Sequence, residues 1–159
     1  MQIRDYTKRE VVSVVTTTTV GEAANLLVEK QVGLLPVTDD THKLVGVFGL
    51  SDILALFLPA VVDLIDDLDF VHDFGALEEV CISPEMRAQQ ISNFMREPTS
   101  IEETASLLRA CTMMLQHRLQ DLPVVRPNGT LVGIVSRLDI GTVFLVERET
   151  DPLSLSEKA

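Results

Sequence analysis

Basic residues are scarce in this sequence. Lysine and arginine number 13 against 24 aspartates and glutamates in 159 residues, a formal net charge of −11. Nucleic-acid backbones are held by clustered lysine and arginine that displace condensed counterions, so this balance excludes DNA and RNA as partners. A site for one small phosphate survives the exclusion, because it needs only one or two cations and a few backbone amides. Cysteine is nearly absent: Cys81 and Cys111 stand thirty residues apart with no CxxC pair. That argues against a structural disulfide and a zinc knuckle and favours two reduced, buried thiols. Long apolar runs are missing too. The stretch 53–62 lies uncharged between Asp52 and Asp63, whereas a bilayer crossing needs about twenty residues. The opening "MQIRDYTKRE" lacks the apolar core of a secretory signal. These absences predict a soluble, cytoplasmic protein with no membrane partner.

What is present is repetition. Apolar residues make up 46% of the chain, enough for one compact unit or two small ones sharing a core. Residues 44–53 read "LVGVFGLSDI" and residues 131–140 read "LVGIVSRLDI". Laying 9–58 on 96–145 without a gap gives fifteen identities in fifty positions, against about three or four expected by chance. They include Arg9/Arg96, Ser13/Ser100 and Thr17/Thr104. Leu35-Pro36-Val37 falls on Leu122-Pro123-Val124, and Asp52-Ile53 on Asp139-Ile140. The chain is an internal duplication.

Each copy carries the same local signals. "VVSVV" (11–15) is a β-branched strand. Thr19 and Glu22 have capping-box spacing ahead of a helix whose apolar face is Val20, Ala23, Ala24, Leu27 and Val28. Ser106 takes the cap position in the second copy, ahead of Leu107, Ala110, Cys111, Met114 and Leu115. "LLPVT" and "LVGVF" follow as a hairpin, and the matching turn in the second copy contains "RPNG", a strong turn signal. A second helix opens after Gly49 and after Ser136. The order is β-α-β-β-α, twice, an α/β (α+β) fold. The helix "DILALFLP" is apolar almost all round, which predicts burial on more than one side. A copy of about fifty residues leaves apolar surface uncovered. Packing about a pseudo-twofold axis, and a homodimer of the whole chain, would cover it.

Residues 1–58 form the first repeat, 59–92 a connection, 93–146 the second repeat, and 147–159 a polar tail expected to fray. The connection is read as an acidic helical insertion, with eight acids and one arginine between 60 and 90.

On "LPV" followed ten residues later by "Gly133-Ile-Val-Ser136-Arg-Leu-Asp139", set inside a tandem duplication, the chain resembles a pair of CBS domains, also called a Bateman module. The resemblance covers roughly 100 of the 159 residues. It implies a regulatory, non-catalytic module that binds adenosine-containing ligands (AMP, ADP, ATP or S-adenosylmethionine), requires no cofactor, and acts on an effector protein. By position, Asp139 would hold the ribose hydroxyls and Ser136 would donate to ribose or phosphate oxygen. Adenine would lie beside Gln120, Asp121, Leu122 and Pro123 and under Ile101. The chemistry is sound on its own terms: a carboxylate accepts two vicinal hydroxyls, and free amides in a first helical turn attract phosphate. Arg137 is the nearest candidate cation.

Ser136-x-x-Asp139 also spells a helix capping box that needs no ligand. In the first copy Gly49 replaces the serine and Leu50 the arginine while Asp52 remains. A site there, with Leu34, Leu35 and Pro36 beside it, is expected to be weaker or empty. Asp66, Asp67, Asp69, His72 and Asp73 could hold a divalent metal, although acidic helix faces are usually solvated. Three functions follow in order: an adenosine-ligand sensor with its main site in the second repeat, a ligand-free dimeric interaction module, and a metal-dependent enzyme using the acidic segment.

Overall fold

The computed structural model describes residues 1–57 and 82–146. The acidic cluster at 66–73, Cys81, most of the connection and the tail lie outside the described residues. Each copy folds as a three-stranded sheet with two helices. In the first, β1 (Val14–Val15) leads through α1 (Val20–Lys30) to β2 (Leu34–Thr38), β3 (Leu44–Gly49) and α2 (Leu50–Phe57). A short helix, α3 (Pro84–Arg87), follows. The second copy runs β4 (Ile101–Glu102), α4 (Leu107–Gln116), β5 (Asp121–Val125), β6 (Leu131–Ser136) and α5 (Arg137–Val146).

Register repeats as faithfully as sequence. Leu34 pairs with Gly49 and Asp121 with Ser136, both antiparallel, and β1 and β4 join the sheets in parallel through Val14↔Val37 and Ile101↔Val124. The irregularity between Val37 and Thr38 recurs between Val124 and Val125. A parallel pair needs a crossover, which α1 and α4 supply. The expected strand 11–15 shortens to Val14–Val15, because β1 meets β2 only at Val37 and Thr38. Pro36, fully buried on the central strand, lies beyond the end of that pairing.

Local chemistry starts each element. Thr19 Oγ1 accepts from the Glu22 amide (3.2 Å) while the Glu22 carboxylate accepts from the Thr19 amide (2.8 Å). Ser106 Oγ accepts from the Arg109 amide at 3.2 Å. Asp39 Oδ1 ties the first hairpin turn to the Thr41 and Lys43 amides. Gly129 supplies the positive φ of +85° that the second turn requires. On helix α2, Ile53 is buried, while Leu54 and the preceding Leu50 stay 49% and 51% exposed in the single chain.

The compact units cross the repeat boundaries. One consists of Met1–Val11 with the residues from Thr99 onward, and the other of Val12–Pro98. In the first of these, Ile3 is fully buried among Leu107, Ala110, Leu122 and Val135. In the other, Ile91 is fully buried among Val20, Ala23, Leu35 and Phe48. Lys8 exchanges backbone hydrogen bonds with Ile134 (2.9 and 3.0 Å), and Arg96 does the same with Val47 (2.9 and 3.0 Å). Structural equivalence ahead of the first strand of each repeat therefore runs at a spacing of 88, with Ile3 matching Ile91 and Lys8 matching Arg96. The identities Arg9/Arg96 and Glu10/Glu97 do not occupy equivalent places. One residue is gained or lost between these segments and Ser13/Ser100.

Candidate functional site

Asp139 sits in the first turn of α5, where β6 ends. Its Oδ2 accepts from the Ser136 amide (2.9 Å) and hydroxyl (2.7 Å), and Ser136 Oγ accepts in return from the Asp139 amide (3.1 Å). The capping box read from the sequence is thus formed. Its Oδ1 pairs with Lys8 Nζ at 2.8 Å, the lysine side chain being 61% exposed. Burial works to raise the pKa of Asp139. The bonds from Lys8 and Ser136, with the lysine charge, outweigh it and hold the carboxyl below the ordinary aspartate value.

Asp121, opposite Ser136 in the sheet, goes the other way. Burial raises its pKa and the Asp139 charge adds to the rise, while Lys8 opposes both. Two carboxylates and one lysine therefore share the end of β5 and β6. The Gln120 carbonyl accepts from the Arg137 amide at 2.8 Å, which closes the strand start onto the helix start. Leu122 and Pro123 are fully buried, with the Leu122 side chain in the core. Ile101 joins that core and also lines a concavity of about 460 Å³ with Ser100, Glu102, Thr104, Ala105 and Arg109. Neither Ser136 nor Asp139 is part of that lining.

Arg137 departs from its expected place. Its Nη2 donates to the Met114 carbonyl at 3.1 Å, near the C-terminal end of α4, and its Nε is buried without a partner. The same carbonyl accepts from the Leu119 amide at 2.9 Å, and a guanidinium there also meets the negative end of the helix dipole. The cation at Asp139 is Lys8, which the sequence reading missed. The signal was present: at a spacing of 88, "MQIRDYTK" (1–8) meets "QQISNFMR" (89–96), matching Gln2/Gln90, Ile3/Ile91, Tyr6/Phe94 and Lys8/Arg96.

The first repeat keeps the carboxylate in a different setting. Asp52 Oδ2 accepts from the Gly49 amide at 2.8 Å, as Asp139 does from Ser136. Arg96 then grips it with two bonds, Nε to Oδ1 and Nη2 to Oδ2 (3.2 Å). Asp52 is left 9% exposed. Glycine at 49 is fixed by space, since a Cβ would come within 2.5 Å of the Gly33 carbonyl oxygen. Leu34, Leu35 and Pro36 hold the places of Asp121, Leu122 and Pro123, so this carboxylate has no acidic neighbour at the start of β2.

Among the described residues there is no group of three or more potential metal ligands, and no helix long and apolar enough to cross a membrane. Cys111 is a free, half-buried thiol whose pKa burial pushes up.

The tandem β-α-β-β-α units, each with an aspartate at the start of its last helix, define a class of paired modules built by duplication. The family model for the CBS domain matches residues 3–59 and 79–144, and the chain belongs to the CBS domain family. It is 32% identical over 142 residues to the chloroplastic CBS domain-containing protein CBSX2 of Arabidopsis thaliana, and 33% identical over 139 residues to CBSX1 of the same plant. Those matches take in 84% and 82% of this chain but only 59% and 58% of the relatives. Both relatives are chloroplastic, so the comparison does not single out the cytoplasm. The crystal structure of CBSX2 in complex with AMP superposes with a TM-score of 0.71 at 27% identity, covering 92% of this chain and 98% of that one. The CBS domain pair of protein MJ0100, solved with 5′-methylthioadenosine and S-adenosylmethionine, matches with a TM-score of 0.67 at 20% identity, covering 91% and 95%. At that identity the second likeness is one of fold.

Proposed function

We propose that the chain is a non-catalytic regulatory module that binds an adenosine-containing ligand in its second repeat. The observation that carries this reading is the Asp139 carboxylate. It is held ionised at the start of a helix, and its Oδ1 is paired to an exposed lysine that can swing away. An ionised carboxylate of this kind accepts both vicinal hydroxyls of a ribose. Ser136 supplies a hydroxyl, and the edge at Gln120, Asp121, Leu122 and Pro123 offers backbone groups to adenine beside Ile101. Lys8, released from Asp139, replaces Arg137 as the cation for a phosphate. The AMP complex of the similar protein CBSX2 supports the ligand class. A homodimer and an effector protein complete the proposal, since a sensor needs two states with different ligand affinity and a partner that reads them.

The test is calorimetric titration of AMP, ADP, ATP and S-adenosylmethionine into the wild type and Asp139→Ala. Saturable binding at one ligand per chain, lost in the variant, is expected. Binding unaffected by the substitution would refute the site.

A second reading has its own observation. Ser136 and Asp139 Oδ2 form a reciprocal cap that needs no ligand. If none of the four ligands binds, the module acts through protein contacts alone.

A further inference from the structure

The two repeats present the same carboxylate at the same helix position, yet they close it differently. Both aspartates accept from the amide at the end of the preceding strand, Gly49 at 2.8 Å and Ser136 at 2.9 Å. Both face a cation carried by the segment that pairs with the outer edge of that strand, Arg96 beside Val47 and Lys8 beside Ile134. Reciprocal backbone bonds fix each cation's main chain in the same way. The difference lies in the side chain. Lys8 reaches one oxygen of Asp139 through a single flexible ammonium. Arg96 takes both oxygens of Asp52 with a planar fork. Paired bonds from a rigid guanidinium are stronger and cost less side-chain freedom than one bond from an ammonium. Asp52 is also the more buried of the pair, at 9% exposure against 19%.

We propose that Arg96 is a built-in plug. It occupies on the first-repeat aspartate the two acceptor positions that a ribose would use, and so keeps that site closed while the Lys8-paired site stays open. The inference rests on the reading of Asp139 as the ribose carboxylate and adds the residue that decides which repeat binds. Identity of the cation, more than the missing serine, then sets the number of ligands per chain. In this account the repeats diverged in function by one basic residue in each preceding segment. Lysine leaves the acceptor available, and arginine fills it.

Exchange of the two cations tests this. Arg96→Lys keeps the charge beside buried Asp52, so it preserves the fold better than Arg96→Ala, and thermal unfolding would verify that. Calorimetry with AMP is expected to give one ligand per chain for the wild type and two for Arg96→Lys, the added one lost again in Arg96→Lys with Asp52→Ala. Lys8→Arg is expected to weaken binding in the second repeat at least tenfold. One ligand per chain in both the wild type and Arg96→Lys would overturn the plug and leave the second-repeat site standing. Two ligands in the wild type would also overturn it. Binding in Arg96→Lys alone would support the plug while removing the second-repeat reading, and no binding in either protein would overturn both.

Discussion

Asp139 and Asp121 share one lysine that lowers the pKa of both, yet burial and the Asp139 charge leave Asp121 shifted the other way. Asp139 titrates below its ordinary value once folded. Its cap and ion pair therefore contribute stability that is fully present above the unfolded aspartate pKa and is lost as pH falls through the lower, folded value. Asp121 titrates above its ordinary value, so its charge opposes folding at neutral pH, and that opposition disappears as pH falls from the raised value to the ordinary one. Asp121→Asn is accordingly expected to raise the melting temperature at pH 7. The gain is under about 1 kcal/mol because solvent still reaches the group. It should vanish near the ordinary aspartate pKa of about 3.9; a gain that persisted there would mean that charge was not the cause. Ser136 is read by a milder change. Ser136→Ala removes the cap and is expected to cost about 1 kcal/mol, and Ser136→Gly only a few tenths, in denaturant titrations. Glycine already stands at the equivalent position 49, where its amide still donates to Asp52.

At the scale of elements, the segment preceding each repeat is as much a part of its compact unit as the strands are. Gly133 lies so close to it that a Cβ would meet the Lys8 carbonyl oxygen at 2.6 Å. The equivalent Cβ at Gly46 would meet the Met95 sulfur at 2.6 Å, the far end of a flexible side chain. Gly133→Ala is therefore expected to cost about 1–3 kcal/mol, and more than Gly46→Ala, because backbone must move where methionine would only rotate. Hydrogen exchange should show faster loss of protection at the Lys8 and Ile134 amides in Gly133→Ala alone. Equal effects of the two alanines would contradict the backbone contact. Helices, hairpins and caps were legible in the sequence because their causes are local: Thr19 with Glu22, Ser106 at a helix start, Gly129 in a turn. The preceding segments were not. Ile3 and Lys8 show no periodicity of their own; the spacing of 88 aligns them with Ile91 and Arg96, but only tertiary contact reveals that one is core and the other an ion-pair partner. Arg137 is a similar case, since nothing near it in sequence announces its bond to the Met114 carbonyl.

At the scale of the molecule, duplication explains more than composition does. Two copies share register, irregularity and capping, so the aspartate is delivered to the same place twice whatever function it serves. The repeats were visible from fifteen identities, while the one-residue shift before each copy hid the pairing of Lys8 with Arg96. In the proposed reading, function resides in the differences imposed on that common frame: Ser136 against Gly49, Asp121 against Leu34 and, above all, Lys8 against Arg96. A ligand that prefers one packing of this frame stabilises it by mass action, by about 2.7 kcal/mol at a hundred times its dissociation constant. That scale of stabilisation is readable by melting.

The central claim is that Asp139 recognises a ribose through its vicinal hydroxyls. The most direct measurement compares the affinity of AMP with that of 2′-deoxy-AMP for the wild type and for Asp139→Ala. The account predicts at least a tenfold preference for AMP in the wild type, the loss of one charge-assisted bond being worth about 1.5–3 kcal/mol, and no preference in the variant. Equal affinity for the two nucleotides in the wild type would contradict it.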